Sequence, residues 1–203
     1  MAKTQITARE PYVPVFDNPY TGDGDITDFE YETDLVILRM RDPCAMGEDR
    51  EADYVVAAPY TVRFKVNGDP HAITVPAGMM TDLVSVPRGL RWLVERVGPH
   101  LEAAIVHDFL FIAWAYTGEE TRPLPRREDW LFANRVMIAG LRTAGVPAWM
   151  CWAIAWALST RISWNLYANV GPVHFIDLDT AHLKTAGLRA GDDDHDHHYH
   201  PIA

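Results

Sequence analysis

Ala103-Ala104-Ile105-Val106-His107-Asp108-Phe109-Leu110-Phe111-Ile112-Ala113-Trp114 is the stretch on which the fold turns. It is long enough for a helix of several turns, and its only two polar residues are adjacent. A helix that is apolar on every side is buried on every side, so the rest of the chain must enclose this one. A carboxylate inside it is costly unless it is paired, hydrogen-bonded or bound to a metal. What His107 and Asp108 face is therefore the functional question.

Downstream, this helix ends near Tyr116-Thr117-Gly118, and a charged loop with Pro123 and Pro125 follows. The pattern then predicts a third helix over 127–144, closed by Gly145, and a fourth from Pro147 to about Asn165. Trp149, Trp152 and Trp156 fall at i, i+3 and i+7, a spacing that predicts a stripe packed into the core. Upstream, Ser85 is a natural N-cap with Pro87 in the first turn. The helix it starts runs over 88–97 to Gly98, and Pro99 opens the His107 helix.

Residues 31–40, 54–58, 60–66 and 72–75 read as strands. Asn67-Gly68-Asp69-Pro70 supplies a hairpin turn, and the polar segment 41–51 reads as a loop at the sheet edge. Residues 173–178 read as a last strand. The fold class is α+β, with antiparallel strands followed by about four helices, a short C-terminal strand and a polar tail. Residues 1–28 form an extended arm and 29–178 one domain, its β part 29–76 and its helical part 85–166. Residues 179–203 are an acidic, His-rich tail able to take up zinc or nickel adventitiously, without the rigid spacing of a built site.

Composition removes several function classes. With 48% hydrophobic residues in 203, a real core is within reach. A formal charge of −10 argues against binding nucleic acid, which needs clustered Lys and Arg. Cys44 and Cys151 are too isolated for a disulfide framework. The apolar run 146–158 is shorter than the ~20 residues of a membrane span, so no transmembrane segment is expected. Asp23-Gly24-Asp25 lacks the ligand spacing and closing Glu of an EF-hand.

Three polar elements stand in apolar surroundings: 81–87, beginning Thr81-Asp82-Leu83; His107-Asp108; and Asp129, which precedes Phe132, Ala133 and Val136 at helical spacing. Helix neighbours point ~100° apart, so His107 and Asp108 address different partners. If His107 meets Asp129, the carboxylate fixes the ring and stabilises an imidazolium, as a water-activating base requires. If Asp108 meets Asp82, two carboxylates repel until a proton or cation joins them. Calcium, with the Leu83 carbonyl as a further donor, suits such a set. Plainer readings stand beside this one: a satisfied core His107, a helix-capping Asp82, an Asp129 held by the helix dipole, and an Asp108 paired with Arg88 or Arg127.

Val75-Pro76-Ala77-Gly78, Thr81-Asp82-Leu83-Val84-Ser85-Val86-Pro87-Arg88, the His107-Asp108 helix and Arg127-Glu128-Asp129-Trp130-Leu131-Phe132, in that order, resemble the DUF1353 family of uncharacterised bacterial and bacteriophage proteins over about 55–165. That resemblance implies a phage or prophage origin, in virion or host cytoplasm. The Thr-Asp-x-x-Ser stretch and His-Asp helix are similar, more distantly, to secreted phospholipases A2 of the small prokaryotic type. This second resemblance implies an antiparallel helix pair with His107 as general base and Asp129 as its partner. It also implies calcium on Asp82, Leu83 and Asp108. Phe111 stands where that pattern has Tyr, and Val84 and Ile105 replace the cysteines that join its helices. Two functions compete, with a peptidoglycan-acting or accessory host-takeover protein as a third reading. One is a calcium-dependent lipid ester hydrolase used in host entry or lysis. The other is a non-catalytic virion component that contacts other virion proteins.

Overall fold

A computed structural model describes residues 14, 16–45, 51–82, 100–117, 124–171 and 174–178. Among the described residues six strands precede four helices, an α+β arrangement. One antiparallel sheet holds β1 (Ile26–Tyr31), β4 (Tyr60–Val66) and β5 (Asp69–Val75) in the order β1-β4-β5. A second holds β2 (Ile37–Ala45), β3 (Glu51–Val56) and β6 (Met80–Thr81) in the order β2-β3-β6. In β4, Tyr60, Val62, Phe64 and Val66 are buried while Arg63 and Lys65 are exposed, as period-2 alternation requires. Asn67 (φ 52°) and Gly68 (φ 94°) form the turn between β4 and β5. Two positive φ angles are what the two-residue hairpin turn matched to strand twist needs, and Val66 pairs with Asp69 across it.

The expected strand over 31–40 is interrupted, since 32–36 are not strand and β2 begins at Ile37, while elsewhere strands extend beyond the apolar runs that announce them. Residues 26–31 form β1 against β4, although 26–28 read as part of the arm. Both ends of the expected 41–51 loop are strand, with Cys44 opposite Ala52 and Ala45 opposite Glu51 after a register irregularity. β2 lies at a sheet edge, where a polar sequence can pair through backbone alone. At the C-terminus the strand shrinks to one bridge, Met79 with Phe175, flanked by Met80 N–H to the His174 carbonyl (2.8 Å) and Ile176 N–H to the Gly78 carbonyl (2.9 Å). Gly78 has φ +87°, and a Cβ there would fall on the Ile176 carbonyl oxygen.

The helices are α1 (Leu101–Ala113), α2 (Arg127–Thr143), α3 (Ala148–Leu158) and α4 (Arg161–Ala168). Ser85, the expected helix over 88–97, Leu83 and the tail lie outside the described residues. α1 is buried nearly all round, as its composition demands. Its neighbours in the main core include Val62, Phe64 and Val75 of the first sheet and Phe132 and Val136 of α2. His107 meets Asn134, and Ala103 lies against Gly140, so α1 and α2 run antiparallel. Gly140 permits this approach: a Cβ there would come within 2.9 Å of the Tyr31 hydroxyl and 3.0 Å of the Ala103 Cβ.

The arm closes over α1. Phe16 sets its ring edge-on to Phe109 at 5.0 Å. The Tyr20 hydroxyl donates to the Leu110 carbonyl and accepts the Trp114 N–H (3.1 Å), the two groups a further helical bond would join. α2 ends with Gly145 at φ +77° and Val146 N–H bonded to the Leu141 carbonyl, the Schellman closure. The expected single helix from Pro147 to Asn165 is two. Thr160 adopts extended backbone and its hydroxyl accepts the Ser163 N–H (3.4 Å), an N-cap that restarts the chain as α4.

The tryptophan stripe is not in the core. α3 buries Cys151, Ile154, Ala157 and Leu158. Three of these pack in a cluster with Ala103, Ala104, Met137 and Leu141. Trp149, Trp152 and Trp156 face outward, 60%, 72% and 67% exposed. Both faces of α3 are apolar, so helical spacing cannot say which one the core takes.

Candidate functional site

The polar residues of α1 are met from two directions. β6 is only two residues long, but its bond to β3 and the Met80–His174 bond place Thr81 beside α1. The Thr81 hydroxyl donates to Asp108 Oδ2 at 2.8 Å. Asp82 follows, close enough for its charge to act on Asp108. Burial pushes the Asp108 carboxyl up to about 8, the Asp82 charge adds to this, and the Thr81 hydrogen bond works against both. As a residue Asp108 is only half-buried. Its carboxyl thus lies deep among protein atoms although part of the residue meets solvent.

His107 points into the protein and is 1% exposed. Its Nε2 lies 3.1 Å from Asn134 Oδ1, and Asn134 Nδ2 donates to the Leu158 carbonyl at 3.2 Å. Because the amide nitrogen is committed to Leu158, Oδ1 must accept, which assigns the ring proton to Nε2. Nδ1 is then a bare lone pair, buried and with no hydrogen-bond partner among the described residues. The Phe111 ring, one turn on, lies 4.0 Å from the imidazole centre to centre. Burial drives the imidazole down to about 4, against a smaller opposing effect of Asn134, so the ring is neutral at physiological pH.

Asp129 is buried, as its place on the apolar face predicts, but it does not reach His107. Residues five apart on a helix differ by ~140° and about 7.5 Å along the axis, so Asp129 cannot share the direction of Asn134. With α1 and α2 antiparallel, Asp129 lies past His107, toward the C-terminal end of α1. Its charge acts instead on Tyr20 and Tyr167. Burial raises the Asp129 carboxyl, Arg126 opposes this and Glu128 adds to it. The expected His107–Asp129 pair is therefore replaced by His107–Asn134.

Two residues carry more than their sequence context suggested. Asn134 is a polar residue on an otherwise apolar face of α2, beside Phe132, Ala133, Val136 and Met137. The same signal singled out His107 and Asp108. Thr81, next to Asp82, is a direct partner of Asp108; Arg127 is exposed, and Arg88 lies outside the described residues.

The donor set suits a hard cation in kind: two carboxylates and a hydroxyl, all oxygen, with a repulsion that positive charge would relieve. Among the described residues no group of three or more His, Cys, Asp or Glu side chains gathers around one point, so backbone or solvent oxygens would have to complete a shell. Also among the described residues, no helix is long and apolar enough to cross a membrane.

No curated protein and no solved structure matches this chain. A family model does, over residues 54–158, and that span begins within β3 and contains β4, β5, β6, α1, α2 and α3 together with Thr81, Asp82, His107, Asp108 and Asn134. The chain belongs to the DUF1353 family, described as proteins of unknown function.

Proposed function

We propose that this chain is a calcium-assisted hydrolase of ester bonds, with Asp82 and Asp108 as the cation ligands and His107 as the base that addresses water. The observation that carries this reading is the apposition of Asp82 to Asp108, a carboxylate deep beside a buried helix with Thr81 as its donor. Such a pair destabilises the fold as it stands, and a cation would offset that cost. Bound calcium would supply positive charge for an oxyanion on the carbonyl under attack. Asn134 holds the Nε2–H of His107, which leaves the Nδ1 lone pair as the proton acceptor. The low pKa of the ring keeps Nδ1 in the free-base form across physiological pH, at the expense of driving force for proton transfer. The likeness to phospholipases A2 rests on the residue motif alone, and a lipid ester is the substrate it suggests.

A second reading is favoured by the 1% exposure of His107 and its neutral partner. There the His107–Asn134–Leu158 chain is a clamp between helices, and the protein is a non-catalytic virion component. Calorimetric titration of calcium into the chain and into Asp108→Asn, with chromogenic and phospholipid esters assayed beside it, separates the two. The hydrolase reading expects saturable calcium uptake lost in Asp108→Asn and ester turnover lost in His107→Ala. Equal calcium uptake by both proteins, or uptake with no turnover of any ester, overturns it.

A further inference from the structure

We infer that the outward face of α3 is a docking surface for anionic phospholipid bilayers, and that the chain binds such membranes peripherally. Trp149, Trp152 and Trp156 project within a ~60° arc of one helix face. Each is 60% exposed or more. Together they present on the order of 400–500 Å² of indole surface to water, within or above the range of the largest apolar patch on a typical monomer. α3 holds no charged residue in its whole length, Ala148 to Leu158. A helix apolar all round is stable only when both sides are covered, and the core covers just one. Next in the chain, α4 turns Ile162 (66% exposed) and Leu166 outward, one turn apart.

Charge selects the occupant. From Trp130 to Ile176 there is no Asp or Glu, whereas at the chain's mean acidic density a stretch of that length would hold about six. The formal cations in it are Arg135, Arg142 and Arg161. Arg135 is tied to Asp23 (3.2 Å) and to the Gly22 carbonyl (2.8 Å). Arg142 and Arg161 are exposed and bracket α3, one in the last turn of α2 and the other opening α4. Arg142 is near enough to α3 for its charge to lower the Cys151 thiol against the larger effect of burial. Among the described residues neither arginine joins an ion pair.

A chain of formal charge −10 that clears acid from one helical region, and leaves tryptophans between unpaired arginines there, has the electrostatics of a face that meets negative charge. Indoles are favoured at the bilayer boundary, where the ring enters the acyl region and the N–H meets headgroups. A second copy of the chain is the poorer occupant. Twofold pairing through α3 would bring like-charged arginines together, and the outward side chains of α3 offer only indole N–H groups to a polar rim.

The test is co-sedimentation of the full chain with vesicles of phosphatidylcholine alone and of phosphatidylcholine mixed with phosphatidylglycerol, with bromolipid quenching of tryptophan emission. Binding is expected to the mixed vesicles, weakening as salt rises. Trp152→Ser with Trp156→Ser should weaken it about tenfold or more. Arg142→Gln and Arg161→Gln should each weaken it about fivefold. Trp152→Phe should retain most of it. Asp108→Asn should bind like the parent, so a silent hydrolytic site leaves the inference standing. Failure to bind either vesicle overturns it, as does equal binding by the tryptophan double variant. Concentration-dependent dimerisation that the double variant abolishes, without lipid binding, also overturns it and assigns the face to a second copy.

Discussion

Among the described helices α1 and α3 are the most apolar, and they meet opposite fates. α1 lies between the first sheet, α2 and the arm, so most of its surface is covered, His107 is sealed inside and Asp108 is half-buried beside it. α3 packs on one side only, and its three outward tryptophans are left in water. Composition sets how much cover a helix needs, and the number of neighbouring elements sets how much of it the fold supplies. The interior helix thus carries polar groups that must find partners, and the peripheral helix carries apolar groups that must find cover. Asn134 joins the two, accepting from His107 on α1 and donating to the last carbonyl of α3.

The sharpest way to break the contrast is to remove that link. Asn134→Ala strips the His107 Nε2–H and the Leu158 carbonyl of their partner in one step and leaves a small void. Two lost buried hydrogen bonds and the cavity together should cost about 4 kcal/mol. Urea unfolding would check it. A loss below about 1 kcal/mol would mean that solvent reaches these groups and that α1 is not sealed.

The next effect follows from the ring itself. His107 titrates near 6.5 when unfolded and is held at about 4 in the fold. Below pH 6.5 the unfolded chain takes up a proton that the folded chain refuses, so stability falls as pH drops toward 4 and is unaffected by this group above 6.5. The loss over that window is about 3 kcal/mol. Other groups titrate there too, so the measurement is the difference between the parent and His107→Gln. The Gln variant keeps an amide donor for Asn134 and should show a flatter profile by that amount. Parallel profiles would place the imidazole in contact with water.

Much of the fold was legible because its signals are local. The alternation in Tyr60–Val66, the Asn67-Gly68 turn and Gly145 as a helix end each depend on a few neighbouring residues. The candidate site was legible in part. His107, Asp108 and Asp129 were visible as polar exceptions on apolar faces, and Asp82 does lie beside Asp108. Which carboxylate or amide meets which ring depends on the phase of α2 against α1. A slide of one and a half turns exchanges Asp129 for Asn134, and nothing in either helix alone fixes it. β1 and the ends of β2 and β3 form through backbone pairing across 26–66, without an apolar run to announce them. The tryptophans of α3 were misread for a related reason: when both faces of a helix are apolar, periodicity carries no direction.

The smallest expected effect tests that last point most directly. Trp152→Ser removes the most exposed of the three indoles, at 72%. Were it core, a Trp truncation would cost roughly 3–5 kcal/mol. Out in solvent it leaves almost no cavity and loses few contacts, so stability should change by no more than about 0.5 kcal/mol, and the variant should be more soluble. The paired control is Leu158→Ala, six residues on along the same helix and on its buried face. It should cost roughly 2–5 kcal/mol. If the two substitutions cost the same, α3 is covered on both sides in the folded chain and the docking surface is already filled from within. If they differ by the expected margin, the tryptophans stand outside the core and the face they form is open to a partner.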